Sequence, residues 1–69
     1  MSQNTQVLEY IKKYGSITQN EAFYHLSIMR LAARVRDLKD ENYIIYRTMI
    51  PVHNRNGDLV KVARYWMPG

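Results

Sequence analysis

Apolar positions in the first forty residues recur with the period of a helix, in three separate runs. Val7, Leu8, Ile11 and Tyr14 stand at i, i+1, i+4 and i+7, which makes one stripe of a helix from about Thr5 to Tyr14. Asn4 is placed to cap its start. Lys12 and Lys13 occupy the last turn, where the helix dipole favours cations, and Gly15 offers the left-handed residue that ends it. Next comes Thr18-Gln19-Asn20-Glu21, a capping box in which the Thr18 hydroxyl and the Glu21 carboxylate each accept from a backbone N–H at the other end of the turn. Ile17 stands just before it, in position to staple onto Ala22. The second helix therefore covers about 19–26, and Ser27 breaks the pattern and is placed to cap the third helix.

The third run predicts a helix over about 28–41. Ile28, Leu31, Ala32, Val35 and Leu38 share one face; Met29, Arg30, Ala33 and Asp37 lie opposite, with Arg34 and Arg36 on the flanks. Asn42 serves as the terminating left-handed residue. Three helices with a tight connection between the second and third form a helix-turn-helix.

From residue 43 the period changes. Tyr43–Val52 is rich in Ile, Tyr, Thr and Val, and Leu59–Met67 alternates in the same way, so both read as strands of a hairpin over about 43–67. Asn54-Arg55-Asn56-Gly57-Asp58 between them carries an Asn-Gly turn signal. Pro51 cannot donate to a ladder and marks the first strand as an edge or a bulge. Ile45, Met49, Ala63, Tyr65 and Met67 fall on one face, which would cover the helices; Tyr46, Thr48, Arg64 and Trp66 fall on the other. The fold expected is α+β: a winged helix-turn-helix, three helices followed by a two-stranded β-hairpin, as a single domain over residues 1–69.

Composition narrows what such a domain can do. The 69 residues contain no cysteine, so neither a disulfide framework nor a cysteine zinc site staples the fold. Mean hydropathy is −0.45 and no run approaches a membrane span, so no membrane partner is expected. The start, MSQNTQ, lacks the basic and apolar regions of a secretion signal, and a cytoplasmic protein is the expectation. Net charge is +4 and the pI 9.6, which favours polyanionic partners.

Catalytic constellations are missing. His25 and His53 have no second ligand at metal spacing; His25 reads as a half-buried structural residue and His53 as a solvated one near the hairpin tip. The glycines are scattered, so there is no phosphate-cradling loop. Asp37, Asp40 and Glu41 are placed to pair with Arg34, Arg36 and Lys39 on the helix surface. Neither an enzyme nor a cofactor is expected.

The basic residues are arranged more tellingly. Arginine on an exposed helix face can make two hydrogen bonds to a guanine edge in the major groove, and residues near the start of such a helix reach furthest in. That selects Ser27, Met29, Arg30, Ala33 and Arg34, with Asp37 on the same face able to accept from a cytosine amino group or to hold Arg34. Thr18, Gln19 and Asn20 at the second helix's N-terminus could take a phosphate on free backbone donors. Asn54, Arg55 and Lys61 make the hairpin a second contact with the backbone or the minor groove.

These segments resemble the small helix-turn-helix domain proteins encoded by phages and prophages. The resemblance runs from about Thr5 to Met67. It rests on Val7-Leu8-Glu9-Tyr10-Ile11 leading to Tyr14-Gly15-Ser16-Ile17-Thr18, on Glu21-Ala22-Phe23, and above all on the block from Leu31 to Lys39. Asn42-Tyr43-Ile44-Ile45 and Ala63-Arg64-Tyr65-Trp66-Met67 match in character. Such sequences often carry glycine where Asn42 stands. The resemblance implies a DNA-binding winged helix-turn-helix with the third helix as recognition helix. Together with the capped short helix, the arginine-bearing third helix and the Asn-Gly hairpin, it leads to the expectation of a protein that binds double-stranded DNA, with a role in transcription regulation or as an accessory of a mobile element. A different class of partner is a host protein covered by the same surface, motivated by Asp37, Asp40, Glu41 and the aromatic pair Tyr46 and Trp66. Homodimerisation through the sheet edge or the first helix is compatible with both.

Overall fold

The computed structural model describes residues 2–68. The elements run α1 (Gln3–Tyr14), β1 (Ser16–Thr18), α2 (Gln19–Leu26), α3 (Leu31–Asp40), β2 (Tyr46–His53) and β3 (Leu59–Trp66). The three helices and the hairpin are those the periodicity predicts. The short strand β1 is an addition to them: it makes the sheet three-stranded and antiparallel, in the order β1-β3-β2, where a two-stranded hairpin is expected.

Helix α1 begins earlier than expected. Its cap is Ser2, whose hydroxyl accepts from the Thr5 N–H at 3.1 Å, and Asn4 lies inside the first turn. A serine three residues before an open N–H satisfies the donor as well as an asparagine does, and the helix gains length at its start. Gly15 ends α1 at φ 92°, with its N–H on the Ile11 carbonyl at 2.7 Å. The capping box of α2 is complete. Glu21 N–H donates to the Thr18 hydroxyl at 3.3 Å, and Thr18 N–H to the Glu21 carboxylate at 2.9 Å. Ile17 and Ala22 are both fully buried in the core, as a staple requires.

The helix expected over 28–41 starts only at Leu31, so Met29 and Arg30 belong to the turn. Ser27 causes the delay. It adopts the left-handed conformation at φ 57° and closes α2 through its backbone, N–H to Phe23 carbonyl at 3.1 Å, rather than capping α3. An N-cap needs extended backbone, which a left-handed residue cannot supply. Ile28 is then pinned in the core with no exposed surface, its N–H on the Ala22 carbonyl at 3.0 Å. Helix α3 closes as Asn42 predicts: φ is 74°, Asn42 N–H reaches the Lys39 carbonyl and Tyr43 N–H the Leu38 carbonyl, the double closure of a Schellman motif.

The core joins Val7, Leu8 and Ile11 of α1, Ile17 of β1, Ala22, Ile28, then Leu31, Val35 and Leu38 of α3, and Ile45. Ala32, expected on this face, is exposed. It sits about 100° around the helix from Leu31, at the rim of the stripe.

The hairpin register runs without a bulge from Tyr46↔Trp66 to His53↔Leu59, and β2 is an edge strand, as Pro51 requires. That register gives the two faces the alternation predicts. Tyr65 and Met67 pack on the core, but Met49 is 48% exposed, so the distal hairpin projects past the helices instead of covering them. At its tip, in the loop between β2 and β3, Gly57 (φ 82°) donates to the Asn54 carbonyl, and Asn54 Oδ1 accepts from the N–H groups of Asn56 and Asp58.

Candidate nucleic-acid interface

Helix α3 lacks a side-chain cap of its own, and its orientation is set from α2. The Gln19 amide donates to the Ile28 carbonyl at 2.8 Å and accepts from Leu31 N–H at 2.9 Å. One side chain thus satisfies both sides of the turn and fixes where α3 begins. Gln19, expected to meet phosphate, has its amide committed to the fold. Its own N–H and that of Asn20 remain the open donors at the α2 N-terminus, since the capping box occupies those of Thr18 and Glu21.

The two flanks of α3 differ in electrostatics. On the flank against α1, Arg34 is 33% exposed; its guanidinium lies 3.3 Å from Asp37 Oδ2 and donates to Gln3 Oε1 at 3.4 Å. Its buried Nε has no partner, nor has the buried Oδ1 of Asn4. Arg34 is therefore drawn towards α1 rather than extended outward. On the other flank, an open groove between α3 and the hairpin is lined by Ala32, Val35, Arg36, Lys39, Arg47 and Tyr65.

The sequence pattern pairs Arg36 and Lys39 with the acids of their own helix. The structure does not: among the described residues, Arg34–Asp37 is the only salt bridge, so Arg36, Lys39 and Arg47 keep their charges unpaired. Two cations three residues apart on a helix repel by about 0.2–0.5 kcal/mol, a cost that a bound polyanion removes. The groove continues into a second hollow between the N-termini of α2 and α3 and strand β3, lined by Thr18, Gln19, Asn20, Leu31, Ala32, Val62, Ala63 and Tyr65. Ala32 and Tyr65 border both hollows. One concave surface thus carries open backbone donors at one end and three cations at the other.

The remaining expected site residues scatter around this surface. Met29 and Arg30 are exposed in the turn before α3; Ala33 is half-buried in the first turn of the helix; Ser27 is exposed at the end of α2. Asn54, Arg55 and Lys61 are exposed on the hairpin, Asn54 being engaged in the loop through Oδ1. Arg36, Lys39 and Arg47 are not among the residues the sequence pattern selects. A signal exists: Arg36 and Lys39 share a flank at i, i+3, and Arg47 has the parity of Ile45 and Met49, on the strand face turned to the helices. His25, expected to be half-buried, is exposed, with its ring stacked on Tyr10 at 6.0 Å. His53 is solvated, as expected, with Nδ1 3.1 Å from the Gly57 carbonyl.

Three helices leading into an antiparallel hairpin, with the last helix flanked by that hairpin, agree with a family model described as a winged helix-turn-helix domain, which matches residues 2–68. The chain belongs to this family. No curated protein and no solved structure matches the chain. In winged-helix terms the hairpin β2–β3 is the wing and α3 the helix of the recognition position, and membership supports a DNA-binding domain. Among the described residues no helix is long and apolar enough to cross a membrane, and no group of His, Cys, Asp or Glu could hold a metal ion.

Proposed function

We propose that this winged helix binds double-stranded DNA through α3 and the wing, as a regulator or accessory protein of a phage or other mobile element acting in the host cytoplasm. The observation that carries the reading is the groove in which Arg36, Lys39 and Arg47 stand unpaired beside the outward face of α3. A helix that enters the major groove brings its flanks within reach of the phosphates on either side. Arg36, Lys39 and Arg47 then meet one strand's backbone, and the open donors of Gln19 and Asn20 beside Thr18 meet phosphate at the α2 end. Ser27, Met29, Arg30 and Ala33 approach base edges, Arg34 stays held by Asp37, and Asn54, Arg55 and Lys61 let the wing touch backbone or minor groove. The mobile-element context rests on the resemblance of the Leu31–Lys39 block and its flanking segments.

Fluorescence anisotropy of labelled genomic duplexes tests the reading. Binding at low salt that weakens linearly in log–log form with added salt is expected, because each neutralised phosphate releases counterions. No binding at low salt to any fragment would overturn it.

A second reading, a protein that covers a host partner, is favoured by one observation. Tyr46 and Trp66 meet tilted at 41°, centroids 5.0 Å apart, on the sheet face turned away from the helices, and the Trp66 indole N–H donates to the Thr48 hydroxyl at 2.9 Å. Capture of a single host protein that is insensitive to nuclease and lost on Trp66→Ala would select that reading.

A further inference from the structure

The α1–α2 side of the molecule carries aromatic surface outside the DNA groove, where Tyr10 and Leu26 pack one side on the core. Tyr24 is 85% exposed and Tyr14 61%. The Tyr10 and Tyr14 rings meet tilted at 45°, with centroids 4.6 Å apart, and the Lys13 ammonium lies 5.3 Å from the centre of the Tyr14 ring. A shallow and largely apolar hollow on this side is lined by Gln6, Glu9, Tyr10, Lys13, Tyr14 and Leu26. It shares no residue with the α3–wing groove.

We infer that this surface is the contact between two copies of the chain, paired through antiparallel α1 helices. The patch is complementary in charge to itself. Glu9 and Lys13 lie one helical turn apart on the same face of α1 and both line the hollow. A two-fold axis across α1 sets each Glu9 opposite Lys13 of the second copy, so the one patch supplies both halves of two ion pairs. Tyr10, Tyr14 and Leu26 fill the space between them. A second copy in this orientation answers both charges of the patch at once. Tyrosine is also the residue type that gives an interface large area at low entropy cost. The contact leaves both α3 grooves free. It stands without the DNA reading, and where that reading holds, it presents two recognition helices to two half-sites of one duplex.

Sedimentation equilibrium of the DNA-free chain tests the pairing, so its outcome is independent of whether DNA binds. The wild type is expected to show a reversible monomer–dimer equilibrium with a Kd on the order of 10 μM. Glu9→Lys and Lys13→Glu each place like charges opposite one another and should weaken the dimer about tenfold. The double variant Glu9→Lys/Lys13→Glu should recover it. A wild type that stays monomeric to about 1 mM overturns the proposal. So does a dimer indifferent to both charge reversals, or one that the double variant fails to restore.

Discussion

The two flanks of α3 carry the same kind of side chain in opposite circumstances. Arg34 faces α1, with Asp37 and Gln3 within reach, and its charge is answered inside the molecule. Arg36 and Lys39 face the wing, where Arg47 lines the same groove, and their charges are answered by nothing among the described residues. One short helix thus holds a structural arginine and a pair of ligand-ready cations on opposite sides of its axis. The count of positive charges could not distinguish them; the position of the acids and of the neighbouring strand does.

Removing each flank in turn should have the largest effect. Arg36→Ala/Lys39→Ala/Arg47→Ala should lower duplex affinity about a hundredfold at moderate salt. It should also reduce the slope of log K against log salt by about 3, roughly one per lost phosphate contact. Arg34→Ala should change affinity by less than about threefold, since it loses no phosphate contact. Anisotropy titrations of both variants at several salt concentrations check the pair of outcomes, and equal effects from the two flanks would erase the distinction.

Next in size is the device that aims both flanks. Gln19→Ala removes the acceptor for Leu31 N–H and the donor for the Ile28 carbonyl, and should cost about 1–2 kcal/mol of stability in a urea titration. Amide exchange at Leu31 should accelerate. Affinity should fall for all duplex sequences alike, since the change touches the orientation of α3 and no base contact.

Much of the fold is legible in the chain because it is local. The Thr18–Glu21 capping box, the Gly15 and Asn42 terminators and the alternation of the hairpin each need only residues a few positions apart, and each is present in the structure. The features that escape depend on residues distant in sequence. The late start of α3 arises from the left-handed Ser27 and from Gln19, twelve residues before the N–H it caps. Strand β1 exists only because β3 pairs with it. The groove cations escape for the same reason: Arg36 and Lys39 have acids nearby in sequence, yet the rotation of the helix turns them towards Arg47.

A smaller effect is expected from Asp37→Ala. Both partners of the Arg34 pair are substantially exposed, so the loss of stability should be a few tenths of a kcal/mol, near the bottom of the range of about 0.2–1 kcal/mol for such pairs. Freed from Asp37, Arg34 can swing outward, and duplex affinity should rise modestly. A fall in affinity would mean that Asp37 itself reads a base or that Arg34 must be held to act.

The smallest effect lies away from α3, at the Glu21 carboxylate, which accepts from the Tyr10 hydroxyl and the Thr18 backbone N–H rather than from a cation. Tyr10 donates to Glu21 Oε2 at 3.4 Å; desolvation first, then the Glu21 charge and this hydrogen bond, raise its pKa above the ordinary 10.0. A raised folded-state value means the neutral phenol is favoured in the native protein. Its stabilisation is present below pH 10.0 and lost as pH climbs through the raised value. Thermal melts should therefore show Tyr10→Phe losing slightly less stability than wild type between neutral pH and strongly alkaline pH.

Whether duplex DNA lies in the groove between α3 and the wing is decided by amide chemical-shift mapping of the ¹⁵N-labelled chain during titration with duplex. The predicted result is a contiguous set of shifts at Asn20, Ala32, Arg36, Lys39 and Arg47, extending onto the wing, with Gln3, Tyr14 and Tyr24 unmoved by the titration. Shifts centred on Gln3 and Arg34, or on Tyr46 and Trp66, would contradict it.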